Sequence, residues 1–287
     1  MLNKCQAGSL ALWMLAGCAV EPVDTTETEA EVSGPPPITA PAGTGTAATL
    51  GITALNPFFD FTLGTNGRAC VNCHQPTEGM TINPAGVQFV FNASAGTDAL
   101  FRLNDGAVSP NADVSTLNAR KVAYKMLLDR AVIRIGLPIP QNAEFTLAAV
   151  DDPYGYASPA ELSLFRRPPP TSNAKFLSTR MWDGREPNLN QQAGDAVLGH
   201  AQGISVNAQQ MQQIVDLENT MFTAQTYDNV VGDLTKHVDG GPEALATTDF
   251  YLGINDSLGG DPHGQTFNPR VFTLFDGFAP PSKPKKG

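Results

Sequence analysis

Histidine is scarce in this chain: four in 287 residues, beside four cysteines and two tryptophans. Charge is scarce too, at 16% of residues, and its balance is acidic, a formal net of −10. So low a basic content leaves no electrostatic footprint for nucleic acid, while an acidic surface suits docking to a basic partner protein. No apolar run is long enough to cross a bilayer stably as a helix. Four cysteines are too few for a disulfide-stapled fold of this size. Cys70 and Cys73 have no second pair downstream, so a zinc site built on them lacks half its ligands. What is plentiful is chain-breaking residue, 27 glycines and 23 prolines. With 41% hydrophobic residues, that composition describes a real core of a few helices joined by long loops.

Two of the four cysteines and one histidine fall together in Cys70-Val71-Asn72-Cys73-His74. Two cysteines two residues apart, followed directly by histidine, form the attachment pattern of a c-type haem. Each thiol adds to one vinyl group, one turn of chain spans the gap, and the next residue, His74, falls where an imidazole takes the proximal site on iron. A thioredoxin-like redox pair would need a βαβ context, and glycine-rich sequence precedes the motif instead. The sixth iron ligand is open between His200, Met126 and Met181; Met80, six residues after His74, belongs on the proximal side. His237 and His263 sit in polar, turn-rich sequence and read as surface. Asp105 raises the option of a calcium loop, but EF-hand spacing is missing and a turn fits better. Haem c, one per chain, is therefore the expected cofactor, and calcium has no support.

The N-terminus reads as an export signal. Lys4 gives a weak positive start, Ala7 to Leu15 a short apolar stretch, and Leu15-Ala16-Gly17-Cys18 a lipobox-like cleavage site. Cys18 would then be acylated and become the mature N-terminus, anchored to a membrane by several acyl chains. Ala19, rather than Asp, follows it, which by resemblance to Gram-negative lipoproteins directs the protein to the outer membrane, facing the periplasm. The expected organisation is a signal peptide over 1–17, a flexible Thr/Pro/Gly-rich tether over 18–51, a haem domain over 52–279 and a disordered tail over 280–287.

Within the haem domain, Phe89-Val90-Phe91 reads as a short strand or as haem packing. Val114 to Asp129 reads as a helix capped by Ser115, with Leu117, Val122, Met126 and Leu127 on one face. Ala131 to Ile135 reads as a strand, with Phe145 to Val150 as its partner. Arg166-Arg167 leads into three prolines and must be extended; these arginines suit either haem propionates or solvent. Asn190 to Leu198 is a short helix, and Ala208 to Gln225, capped by Asn207, is the clearest helix of the chain. The fold class is mainly α: a cytochrome c-like haem domain with long loops and a small β-hairpin insertion.

Several segments together resemble the di-haem cytochrome c peroxidase and MauG-like family. They are Phe58-Phe59-Asp60, Leu63-Gly-Thr-Asn-Gly67, Gly79, Arg167-Pro with Asn173, and Trp182-Asp183-Gly184-Arg185 followed by Leu189 and Gln192-Ala193. The resemblance covers roughly residues 55 to 205, that family's N-terminal haem domain with an insertion, judged by motif order. It implies that Trp182 relays electrons between two haems and that Gln192 lines the distal pocket of the peroxide-binding one. Gln202 stands where the family carries a catalytic glutamate, and an amide cannot exchange that proton. The family's distal histidine is missing, since no histidine lies between His74 and His200. The family's second CxxCH domain is missing as well, so the chain is expected to be a one-haem half, with any second haem supplied by a partner. The leading expectation is an exported haem c protein passing single electrons. The runner-up is a peroxidase reducing hydrogen peroxide, and a third reading keeps the haem as a structural staple in a binding lipoprotein.

Overall fold

The computed structural model describes residues 44–48, 56–228, 232–235 and 240–278, with 44–48 and Ala246 described by their backbone only. In chain order its elements are β1 (Thr44–Ala48), α1 (Pro84–Ser94), α2 (Leu117–Ala123), α3 (Lys125–Arg130), β2 (Ile133–Leu137), β3 (Leu162–Arg166), α4 (Leu189–Gly199), α5 (Ala208–Thr220), β4 (Met221–Gln225), β5 (Tyr227–Asp228) and β6 (Gly232–Asp233). Short 3-10 turns lie at Pro57–Phe59, Cys70–Asn72, Pro76–Glu78 and Ala174–Phe176 among others. The strands form three separate antiparallel pairs, β1 with β4, β2 with β3, and β5 with β6. Among the described residues, five α-helices and three two-stranded sheets agree with a cytochrome c-like, loop-rich domain.

Among the described residues, two large apolar clusters and a small third one, Ala174, Leu189 and Val215, make the core. One joins α1, α3 and the loop between α1 and α2 through Val87, Phe91, Phe101, Ala123, Tyr124, Leu127 and Ile133. Phe91 meets Phe101 edge-on at 5.2 Å, and Tyr124 packs on the other side of Phe101 at 5.1 Å, an aromatic arrangement that adds to area burial. The other cluster joins α4 and α5 through Phe58, Leu63, Met80, Ala193, Val197, Ile214 and Leu217. The haem-motif turn lies between them: Cys73 belongs to the first cluster, while Cys70 packs against the second.

The helices start where side chains can cap them. Asn83, Thr116, Asn188 and Asn207 each accept a backbone N–H of the first turn of α1, α2, α4 and α5. The structure revises several expectations. Phe89-Val90-Phe91 is not a strand but lies inside α1, because Asn83 followed by Pro84 starts a helix there. The Val114 to Asp129 helix is two helices broken at Tyr124, and its cap is Thr116 rather than Ser115. The break has a local cause: the Ala123 carbonyl accepts Val108 N–H at 2.7 Å. As a result Val122 is exposed, and Ala123, Tyr124 and Leu127 are buried. The partner of β2 is β3, with Ile135 opposite Leu164 and Leu137 opposite Leu162, whereas Phe145 to Val150 is exposed loop.

The long helix from Ala208 stops at Thr220. Asn173 accounts for the switch to strand. Its Oδ1 accepts Thr223 N–H at 3.1 Å, its Nδ2 donates to the Thr223 carbonyl at 3.3 Å, and its own N–H donates to Met221. β1, which pairs with β4 from Thr44↔Gln225 to Ala48↔Met221, comes from the stretch expected to be tether. The proposed signal peptide and Cys18 lie outside the described residues. Among the described residues, no helix is long and apolar enough to cross a membrane.

The segment Leu63–Arg68 that leads into the haem motif is clamped to the end of α4. Thr65 N–H donates to the Ala201 carbonyl at 3.1 Å, Thr65 Oγ1 to the Gln202 carbonyl at 2.8 Å, and Asn66 Nδ2 to the His200 carbonyl at 2.8 Å. Gly64 permits this approach, since a Cβ there would meet the Ala201 oxygen at 2.0 Å. Gly64→Ala should therefore lower stability by about 1–3 kcal/mol, the usual cost of forcing atoms into a packed site. Gly199→Ala, where nothing lies within 4 Å of the new Cβ, should be neutral or slightly stabilising. Equal denaturation midpoints for the two variants would contradict the clamp.

Candidate functional site

Between the two clusters lies a cavity with an empty volume of about 1360 Å³, its open mouth included. Cys70, Cys73 and His74 form one wall. The motif is a single tight turn: Cys73 N–H and His74 N–H both donate to the Cys70 carbonyl, at 3.1 and 3.0 Å. Asn72 Oδ1 reaches back to Ala69 N–H at 2.8 Å and closes the start of the turn. Both thiols are free. Burial pushes Cys70 up to about 12 and Cys73 up to about 11, so both are neutral thiols at ordinary pH. Among the described residues, no group of three or more His, Cys, Asp and Glu side chains could hold a metal ion by itself.

The His74 ring is fixed with one nitrogen committed to a hydrogen bond. Its Nδ1 lies 3.0 Å from the Met80 carbonyl oxygen. A carbonyl only accepts, so Nδ1 carries the proton and Nε2 carries the lone pair. Burial pushes the His74 pKa down to about 4, with the Met80 and Pro169 carbonyls opposing the fall; the ring is neutral at ordinary pH. Met80 holds its carbonyl in place by adopting left-handed backbone, φ 61°, after Gly79 at φ 69°. The same oxygen also accepts Thr171 N–H at 3.2 Å. The Met80 side chain is fully buried in the second cluster, away from the cavity lining.

The remaining walls come from three places. α4 contributes Leu189, Gln192, Ala193, Ala196, Val197 and, at its end, His200. α5 contributes Ile214 and Glu218. The segment from Arg166 to Arg185 contributes four arginines, Met181 and Trp182. Trp182 is 62% exposed, and its indole N–H donates to the Arg167 carbonyl at 2.6 Å. Asp183 braces the segment by accepting Arg166 at 3.0 Å and Arg185 at 2.9 Å. Of the residues expected from sequence, the structure thus gathers Cys70, Cys73, His74, Met181, Trp182, Gln192 and His200. Met126, on α3, is not among the lining residues. Gln202 is exposed, on left-handed backbone at φ 53°, and lies outside this cavity. Among the other histidines, His263 is exposed and stacks on Tyr251 at 4.1 Å, and His237 lies outside the described residues.

Three side chains matter more than the sequence suggested. Asp105, expected to be a simple turn residue, is buried. Its Oδ1 accepts Arg68 Nη1 at 2.5 Å and its Oδ2 accepts His200 Nδ1–H at 2.6 Å. Burial alone would raise its carboxyl; Arg68 and His200 outweigh that and hold it below the usual range. Arg68, 2% exposed, is the second. The third is Glu218, a lone carboxylate on the apolar stripe of α5. It is 3% exposed, Oε2 has no hydrogen-bond partner, and burial raises its pKa to about 8 against some attraction from Arg180. Arg180 Nε is likewise buried and unpartnered.

The donor set fits a covalently attached haem. Two neutral thiols and a fixed imidazole share one turn on the wall of an apolar cavity, with arginines and an orphaned guanidinium nitrogen to receive carboxylates. A profile of the family described as di-haem cytochrome c peroxidase matches residues 49–247. Searches of curated proteins and of solved structures each returned no match.

Glu218 supplies a pH test. In the unfolded chain its carboxyl releases its proton near the ordinary value of 4.5, while the folded chain holds it to about 8. Between those values the folded state binds more protons, so stability falls as pH rises. The neutral carboxyl's contribution is whole below 4.5, is lost through about 8, and is on the order of a few kcal/mol. Denaturant midpoints of wild type and Glu218→Gln across that window should converge at the acid end and favour the variant at the alkaline end. Parallel curves would contradict this.

Proposed function

The chain belongs to the di-haem cytochrome c peroxidase family, and on that footing we propose that it carries one covalent haem c and passes single electrons. The observation that carries this reading is the pairing of two free thiols with an imidazole whose Nδ1–H is committed to the Met80 carbonyl, all on one cavity wall. Haem bound there would supply a one-electron couple at its iron. The chain's own residues do the rest. Cys70 and Cys73 tether the edge of the group, and His74 offers Nε2 to the metal. Leu63, Leu189, Ala193, Val197 and Ile214 exclude water. Arg166, Arg167, Arg180 and Arg185 offer positive charge to propionates. Trp182, exposed at the rim, offers an aromatic route for an electron, the role its family resemblance implies.

The partner is a redox protein with a basic docking face, complementary to the net charge of −10, or one carrying a second haem. Export and a lipid anchor at Cys18 are part of the proposal and rest on Leu15-Ala16-Gly17-Cys18. A second reading, reduction of hydrogen peroxide at the same cavity, is favoured by one observation. His200, an imidazole hydrogen-bonded to Asp105, lines that cavity and is a group able to move a proton.

Steady-state peroxide reduction by the purified holoprotein, with a reduced cytochrome as donor, separates the two readings. The electron-carrier reading expects turnover far below the roughly 1–10³ s⁻¹ of ordinary enzymes. Gln202→Glu should bring no gain, because its side chain is exposed and outside the cavity. A wild-type rate within that range would promote the peroxidase. For the anchor, wild type should fractionate with membranes and Cys18→Ser should be released; equal retention of both would remove the lipid from the account.

A further inference from the structure

His200 is held more firmly than the end of a helix requires. Its carbonyl accepts Asn66 Nδ2 at 2.8 Å and Arg68 Nη1 at 3.2 Å, and its ring Nδ1–H donates to Asp105 at 2.6 Å. Asp105 is held in turn by Arg68 at 2.5 Å, and both side chains are at most 5% exposed. Two further Arg68 donors go to the Ala99 carbonyl at 3.1 Å and the Leu100 carbonyl at 2.9 Å. Every link in this chain is buried except the last, which lines the cavity.

A buried ion pair is a poor device for stability, because desolvating two charges offsets most of their attraction and apolar replacements often do as well. Orienting a ligand gives such a pair a use. An imidazole that binds metal donates its other N–H to a carboxylate or carbonyl, which fixes the tautomer and makes the free nitrogen a stronger donor. His74 meets this condition through Met80, and His200 meets it through Asp105. The two rings line one cavity. The competing sulfur, Met181, lines the cavity on left-handed backbone, φ 66°, and a thioether offers no N–H through which a second shell could aim it.

We infer that Arg68 and Asp105 are a positioning pair that would hold His200 with Nε2 free to serve, together with His74, as a nitrogen ligand to a haem iron in this cavity. This rests on the haem c reading above and deepens it. It assigns the sixth position to a residue beyond the Trp182–Arg185 segment and gives the Asn104-Asp105-Gly106 turn a purpose. A haem held by two imidazole nitrogens would be suited to electron transfer rather than to binding peroxide.

The test begins with the haem stain of denatured wild type, which establishes the cofactor independently; its absence would defeat the haem reading itself. With haem present, ferric wild type should show a purely low-spin bis-nitrogen spectrum by absorption and electron paramagnetic resonance. His200→Ala should become high-spin, and added free imidazole should restore the low-spin form. Asp105→Ala should give a mixture of spin states at ordinary haem content, and Asp105→Glu should recover most of the low-spin signal. Asp105→Asn should raise the midpoint potential by an amount equivalent to about tenfold in the redox equilibrium constant, about 59 mV for one electron, because the ligand loses its carboxylate. If His200→Ala fails to mature, His200→Met serves instead, and its low-spin spectrum should change to that of sulfur ligation. A high-spin wild type, or a spectrum indifferent to both His200 substitutions, overturns the assignment.

Discussion

The hydrogen bond from His74 Nδ1–H to the Met80 carbonyl is the interaction on which the rest of the site depends. It turns a mobile imidazole with two equivalent nitrogens into a ligand with one direction and one lone pair. Its requirements propagate outward. Met80 must adopt left-handed backbone, Gly79 before it as well, and Thr171 must reach across to share the same oxygen. That last contact ties the proline-rich segment after β3 to the haem turn. The wall carrying His74 and the wall carrying the arginines are thereby fixed to each other through one carbonyl.

The motif turn also has to belong to two cores at once. Cys73 packs with Phe91, Phe101 and Tyr124, and Cys70 with the cluster of α4 and α5. A cofactor joined to both thiols would lie along the seam and complete the packing of each side. Several buried polar groups lie near the same seam: Arg68 paired with Asp105, and Glu218, whose carboxyl Arg180 attracts. Burying them is costly, and the position of Arg68, Arg180 and Glu218 against the cavity gives the cost a functional reason.

Much of this was legible in the sequence where the signal was chemical and local. Cys70, Cys73 and His74 announced themselves by spacing, and Asn207 and the apolar stripe of α5 announced a helix. Trp182 and Gln192, carried over by family resemblance, do line the cavity. What was not legible depended on partners distant in sequence. Nothing within Val114–Asp129 indicates that Val108 will take the Ala123 carbonyl and split the helix. Nothing after Thr220 says helix or strand until Asn173 and β1 are in place. Asp105 looked like a turn, and its sequence neighbours do form one; only the fold brings Arg68 and His200 to its carboxylate. Gln202 illustrates the converse, since a motif position ten residues beyond Gln192 did not bring it into the cavity.

The central claim is that this one turn, and no other part of the chain, carries a single covalent haem. Intact-mass measurement of the denatured protein, produced alongside a haem-attachment system, tests it most directly. The account predicts the polypeptide plus the mass of one haem, with the adduct on the peptide containing Cys70 and Cys73 and absent when both are replaced by alanine. A bare polypeptide, two haems, or an adduct that survives the double replacement would contradict it.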